Sequence, residues 1–209
     1  MRSPATALLA ALLAAATVGG NLPASRSTGH CLTGADAEGP FHVPDAPFRS
    51  RIVGRAATGV PLSLSGRVLA NDCTTPVAGA VLDVWQADAG GCYSAVGGGP
   101  CAGTPSDPLG LRGKLRTDEA GRYSLQTVKP GGYEADGDTR TPHIHVKIVV
   151  GDREVLTTQL DFADEPRNTQ DSLASAPGAA ARTIVLQAAG DGLRGEFDFV
   201  VDVAPAKAN

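Results

Sequence analysis

Residues 143–162 read H-I-H-V-K-I-V-V-G-D-R-E-V-L-T-T-Q-L-D-F, two runs rich in β-branched side chains joined by Gly-Asp-Arg. Each run reads as a strand, and the turn makes them a hairpin. Residues two apart on a strand share a face, so His143 and His145 project together with Ile144 opposite. On the second strand Leu156, Thr158, Leu160 and Phe162 alternate against Val155, Thr157, Gln159 and Asp161. Two parallel imidazoles are half of a metal site. Two polar residues on a solvated sheet face would have the same spacing, and H-x-H alone is too short to separate the readings.

The chain has four histidines, and none follows His145. Sites that recruit further histidines downstream, such as those of cupins and copper/zinc dismutases, are thereby excluded. Any remaining ligands are expected to be oxygen donors. Tyr93 and Tyr133 are candidates, as are Glu134, Asp136 and Asp138 in the stretch Y-E-A-D-G-D that precedes the histidines. Phenolate is a hard donor that suits ferric iron. A phenol with an ordinary pKa of about 10 ionises readily on a trivalent cation.

Further strands are expected over residues 61–70, 79–86, 122–128, 181–187 and 197–203. In the second of these Ala80, Leu82 and Val84 face one way, and Val81, Asp83 and Trp85 the other, with Trp85 read as core. Tyr123 reads as a packing residue. Turn formers abound, with 26 glycines and 15 prolines, and helix signals are nearly absent. Short strands at turn-punctuated spacing indicate an all-β fold, an antiparallel β-sandwich. Residues 30–57 read as a long irregular N-terminal arm laid over it. The glycine-rich loop at 87–110 carries Tyr93 and is long enough to be functional. Residues 164–181 read as a polar surface loop with at most a short helix.

The opening M-R-S-P followed by an apolar run reads as a secretory signal over residues 1–24, too short for a confident membrane span. Residues 25–209 then form a single domain, expected to be secreted and free of membrane. A net charge of -4 with a pI near 5.5 gives no basic footprint for nucleic acid. Four cysteines in an exported chain favour disulfides over metal ligation. The short loop between Cys92 and Cys101 favours that bridge, which leaves Cys31 to pair with Cys73.

Several ordered motifs carry a family resemblance. They are A-V-L-D-V-W-Q-A-D-A-G-G-C-Y at 80–93, L-R-T-D-E-A-G-R-Y-S-L-Q-T-V-K-P-G-G-Y at 115–133, T-R-T-P-H-I-H-V at 139–146 and T-T-Q-L-D-F at 157–162. Together they resemble the intradiol ring-cleaving dioxygenases, the catechol and protocatechuate dioxygenases with a non-haem ferric centre. C-L-T-G-A-D-A-E-G-P-F-H-V at 31–43 resembles the N-terminal segment of the exported branch of that family. The resemblance implies an Fe(3+) ion held by Tyr93, Tyr133, His143 and His145. It implies that Arg140 and Gln159 act in catalysis, with Tyr133 as a displaceable ligand and base. Gly39, Pro40 and Phe41, with Arg140, would line the substrate pocket. The implied reaction opens a catechol with O₂ between its hydroxyl-bearing carbons, giving a cis,cis-muconate-type diacid. Thr141-Pro142 before the histidines, and cysteines flanking the loop after Tyr93, depart from the usual pattern.

Two other classes fit parts of the sequence. One is a non-catalytic exported β-sandwich binding module of the transthyretin-like kind. The other is a ferrous two-histidine-one-carboxylate oxygenase using His143, His145 and one of Glu134, Asp136 or Asp138.

Overall fold

The computed structural model describes residues 31–54, 58–93, 109–135 and 137–206, which form two packed β-sheets. One sheet has the order β3-β2-β7-β8-β9, built from Arg112–Arg116 (β3), Val81–Trp85 (β2), His143–Val150 (β7), Arg153–Phe162 (β8) and Thr183–Ile184 (β9). The other is centred on Pro61–Leu69 (β1). Arg122–Val128 (β4) flanks it on one side. Gly192–Glu196 (β11) and Phe199–Val200 (β12) flank it on the other, with Gln187–Ala189 (β10) outermost. The all-β sandwich expectation holds. Most pairings are antiparallel, but β1–β11, β1–β12 and β8–β9 run parallel.

The expected alternation decides what lies between the sheets. Leu82 and Val84 of β2, Ile144, Val146 and Ile148 of β7, and Leu156, Leu160 and Phe162 of β8 are buried there. They meet Leu62, Leu64 and Val68 of β1, Tyr123 and Leu125 of β4, and Phe199 of β12. Gly66 sits where β1 changes partner from β11 to β12, and a Cβ there would collide with the Phe197 carbonyl. Only glycine lets that backbone approach.

The end of the chain departs from expectation. Residues 181–187 do not form one strand. A 3-10 turn at Ala179–Arg182 takes up its start, and β9 and β10 divide the remainder. Of residues 197–203 only Phe199 and Val200 pair as a strand. A strand at Gly192–Glu196 is not among those expected; its own side chains carry little strand propensity, and pairing with β1 supplies the strand. Residues 133–140 fold into a small hairpin, Tyr133–Ala135 (β5) with Asp138–Arg140 (β6), which sets Tyr133 directly opposite Arg140.

The Cys31–Cys73 bridge is formed, with its Cα atoms 6.2 Å apart, and fastens the arm to the turn after β1. The expected Cys92–Cys101 pairing falls on Cys101, which lies outside the described residues, as do Asp136 and the expected signal at 1–24. No helix among the described residues is long and apolar enough to cross a membrane.

Candidate metal centre

The residues that alternate away from the core build the site. On the outer face of the β3-β2-β7-β8-β9 sheet stand Asp83 and Trp85 from β2, His143 and His145 from β7, and Gln159 and Asp161 from β8, all buried. They are buried because the arm lies across this face. Asp36 N–H donates to the Thr157 carbonyl at 2.9 Å, and Gln159 Nε2 donates to the Ala37 carbonyl at 2.9 Å. Gly39 crosses His145 with φ +70°, where a Cβ would stand 3.3 Å from the imidazole Cε1. Trp85 is buried in a core as expected, and there it stacks on His145 from the outer face, ring centroids 4.8 Å apart and planes within 4°. It belongs to a second apolar cluster with Tyr93, flanked by Phe41 and Tyr133.

Four donor groups converge here. His143 Nε2 and His145 Nε2 are 3.2 Å apart, and Tyr133 Oη is 3.5 Å from His143 Nε2. The Tyr93 ring stands edge-on to that of Tyr133, centroids 5.7 Å apart, and stacks on Phe41 at 4.2 Å. His143 Nδ1 faces the Thr141 carbonyl at 2.6 Å. A carbonyl only accepts, so Nδ1 donates and the neutral ring presents a bare Nε2 lone pair to the centre. Burial, reinforced by the charge of Arg140, pulls the His143 pKa down to about 4. Burial and the neighbouring His143 pull His145 well below its ordinary value. Both rings are therefore neutral donors at neutral pH.

Tyr93 Oη is buried without a hydrogen-bond partner among the described residues. Burial, with Tyr133 beside it, raises its pKa. Burial also raises that of Tyr133, against the opposing charge of Arg140. An orphaned buried hydroxyl is costly unless something accepts or replaces its proton. Two neutral imidazole nitrogens and two phenol oxygens, one of them orphaned, form a donor set that fits a hard trivalent cation.

Arg140 extends over the centre from β6. Its Nη2 donates to Gln159 Oε1 at 2.6 Å and its Nε to Asp171 at 3.2 Å. Asp171 is fully buried, though its own stretch read as surface loop. Burial pushes its pKa up, but the amides of Thr141 and Ala174 and the charge of Arg140 outweigh that and hold it below its ordinary value. Nothing in the sequence singled it out.

Gly39 and Pro40 lie exposed at the mouth, and Phe41 packs between the two tyrosines. Of the carboxylates in the alternative reading, exposed Glu134 turns to Thr139 and Arg167 and Asp138 accepts from Ser172, while Asp136 lies outside the described residues. No cluster of three His, Cys, Asp or Glu residues suited to a metal occurs among the described residues. The third tyrosine, Tyr123, donates to the Phe197 carbonyl at 2.8 Å inside the sandwich. Tyr123→Phe is expected to cost about 1 kcal/mol of stability by thermal unfolding. Any visible colour of the purified protein should be unchanged by it, which separates this tyrosine from the other two.

The fold and site together define a β-sandwich protein with two imidazoles and two phenols clustered, as a metal would need them, under an N-terminal arm. Comparison with known proteins narrows that class. A family described as dioxygenase matches residues 37–204. The chain is 32% identical over 157 residues to an intradiol ring-cleavage dioxygenase of Aspergillus niger, covering 65% of this chain and 47% of that protein. It is 31% identical over 153 residues to a catechol 1,2-dioxygenase of Candida albicans, covering 65% and 48%. Among solved structures, the dioxygenase domain of a dioxygenase carbohydrate-binding protein fusion from Streptomyces sp. SirexAA-E is 42% identical. Its TM-score is 0.68, over 83% of this chain and 99% of that one. The chain belongs to the intradiol ring-cleavage dioxygenase family. It spans about half the length of the curated relatives named above.

Proposed function

We propose that this chain is a non-haem Fe(3+) intradiol dioxygenase that opens the ring of a catechol with O₂. The observation that carries the reading is the convergence of His143 Nε2, His145 Nε2 and Tyr133 Oη beside the orphaned Tyr93 Oη. Tyr93, Tyr133, His143 and His145 would hold the iron, which when bound supplies a Lewis acid that draws charge from a coordinated catechol. Trp85 and Gly39 fix His145 between a stacked indole and the arm backbone. Tyr133, only half-buried and opposite Arg140 in its hairpin, would as a phenolate be placed to take a proton from an entering catechol hydroxyl. Arg140 stabilises negative charge developing on the ring as a preorganised cation. Phe41 and the arm exclude water.

The relatives' names support a catechol-type ring as substrate. The Cys31–Cys73 bridge and the apolar leader of residues 1–24 support export, and so a soluble aromatic outside the cell. The test is iron content with a visible spectrum, then O₂ uptake with catechol, protocatechuate, hydroxyquinol and caffeate. A burgundy ferric protein that shifts colour on adding a catechol and consumes O₂ is expected, with Tyr93→Phe weakening or shifting the band. A protein that carries no iron and takes up no O₂ with any of the four overturns the proposal.

A further inference from the structure

The loop between β8 and β9 contributes one buried carboxylate to this region. Asp171 Oδ2 accepts from the Thr141 backbone N–H at 2.8 Å and the Thr141 hydroxyl at 3.1 Å. It also accepts from Arg140 Nε at 3.2 Å. Its other oxygen accepts from the amides of Leu173 at 2.9 Å and Ala174 at 3.2 Å, which folds residues 171–176 into a turn beneath it. The Thr141 carbonyl in turn receives His143 Nδ1. One side chain thus fastens both an arginine side chain and the peptide that orients a histidine.

We propose that Asp171 is a positioning residue for the reaction, holding Arg140 over the metal centre. The alternative is that it serves only to close its own turn. The turn amides use Oδ1 alone and Thr141 uses Oδ2 alone, while Arg140 Nε straddles both oxygens at 3.3 and 3.2 Å, so the Oδ2 side tells the roles apart. Asp171→Asn can keep its oxygen towards the Leu173 and Ala174 amides. It then presents an NH₂ group to two further donors, the Thr141 N–H and Arg140 Nε. That variant preserves the turn and breaks the clamp. Arg140 would keep Gln159 and the farther oxygen but lose the nearer one and the opposing charge, and a small displacement of a charge-stabilising group costs rate far out of proportion to its size.

The catalytic readout rests on the ring cleavage proposed above; the structural readout does not. For the first, Asp171→Asn should keep its iron content and thermal unfolding close to wild type. Its kcat/KM on a catechol should fall on the order of 10²-fold, mostly in kcat. In an Arg140→Gln background the same substitution should cost less than about threefold, because the group it positions is gone. A penalty of equal size in both backgrounds, or wild-type kinetics in Asp171→Asn, overturns the proposal. For the second, the metal-free wild type labelled with ¹⁵N-arginine should show a slowly exchanging Nε–H assigned to Arg140 by its absence in Arg140→Lys, and exchanging markedly faster in Asp171→Asn. This holds whether or not the protein cleaves catechols. If Asp171→Asn does not fold, the wild-type signal still decides: an Arg140 Nε–H exchanging as fast as those of exposed arginines means there is no clamp.

Discussion

The His143→Ala variant is expected to purify colourless, with bound iron reduced on the order of a hundredfold or more and no measurable ring cleavage. The size of the effect follows from what the ring does. In the proposed site it would supply one of two nitrogen donors, and its Nδ1 is already committed to Thr141. Losing an outer partner of a metal-bound residue commonly lowers metal affinity 10- to 100-fold, so losing a ligand should cost more. The fold should survive. The core face of β7 is Ile144, Val146 and Ile148, and His143 lies on the opposite face. Iron per chain, the visible band and O₂ uptake read the loss, while circular dichroism and thermal unfolding read the fold. A folded His143→Ala protein that kept its iron and its colour would remove His143 from the donor set. It would leave the 3.2 Å approach of the two imidazoles as simple packing.

Period-two alternation carried most of what could be read in advance. It assigned both faces of β2, β7 and β8 correctly, because those strands are long or strongly apolar on one side. The polar face, however, gave no sign of being buried. A sequence pattern cannot show that Asp36, Ala37 and Gly39 of the arm lie across Thr157, Gln159 and His145. That packing depends on contacts more than 100 residues apart in the chain. The same limit explains why nothing in the sequence showed that Trp85, rightly read as core, packs in the outer cluster against His145. It also explains Asp171, one aspartate in a polar stretch, whose role appears only when Arg140 and Thr141 are folded against it. Weak strands such as Gly192–Glu196 were illegible for a different reason. Their pairing comes from the partner strand and not from their own side chains.

Arg182→Met is expected to lower the melting temperature by roughly 10 °C, corresponding to about 3–5 kcal/mol. Arg182 is almost wholly buried and joins three parts of the chain. Its Nη1 donates to Asp161 of β8 at 2.6 Å, its Nη2 lies 2.5 Å from Asp36 of the arm, and Nη2 also donates to the Leu173 carbonyl. Methionine fills similar space but leaves two carboxylates buried without their cation, a large penalty because the charges cannot reach water. The loss should depend on pH, and its sign can be worked out. Burial raises the Asp161 pKa to about 6 even with Arg182 opposing it, against about 3.9 for an unfolded aspartate. Between those values the folded chain binds more protons than the unfolded one, so stability falls as pH rises through that window. Without Arg182 only the weaker influence of Arg140 opposes the upward shift, and the window extends higher. The deficit relative to wild type should be smallest near about pH 4–5 and grow towards about pH 8. A deficit that did not change with pH would mean that the variant loses packing and not charge compensation. In that case the three carboxylates Asp36, Asp161 and Asp171 would not act as one electrostatic cluster behind the imidazoles.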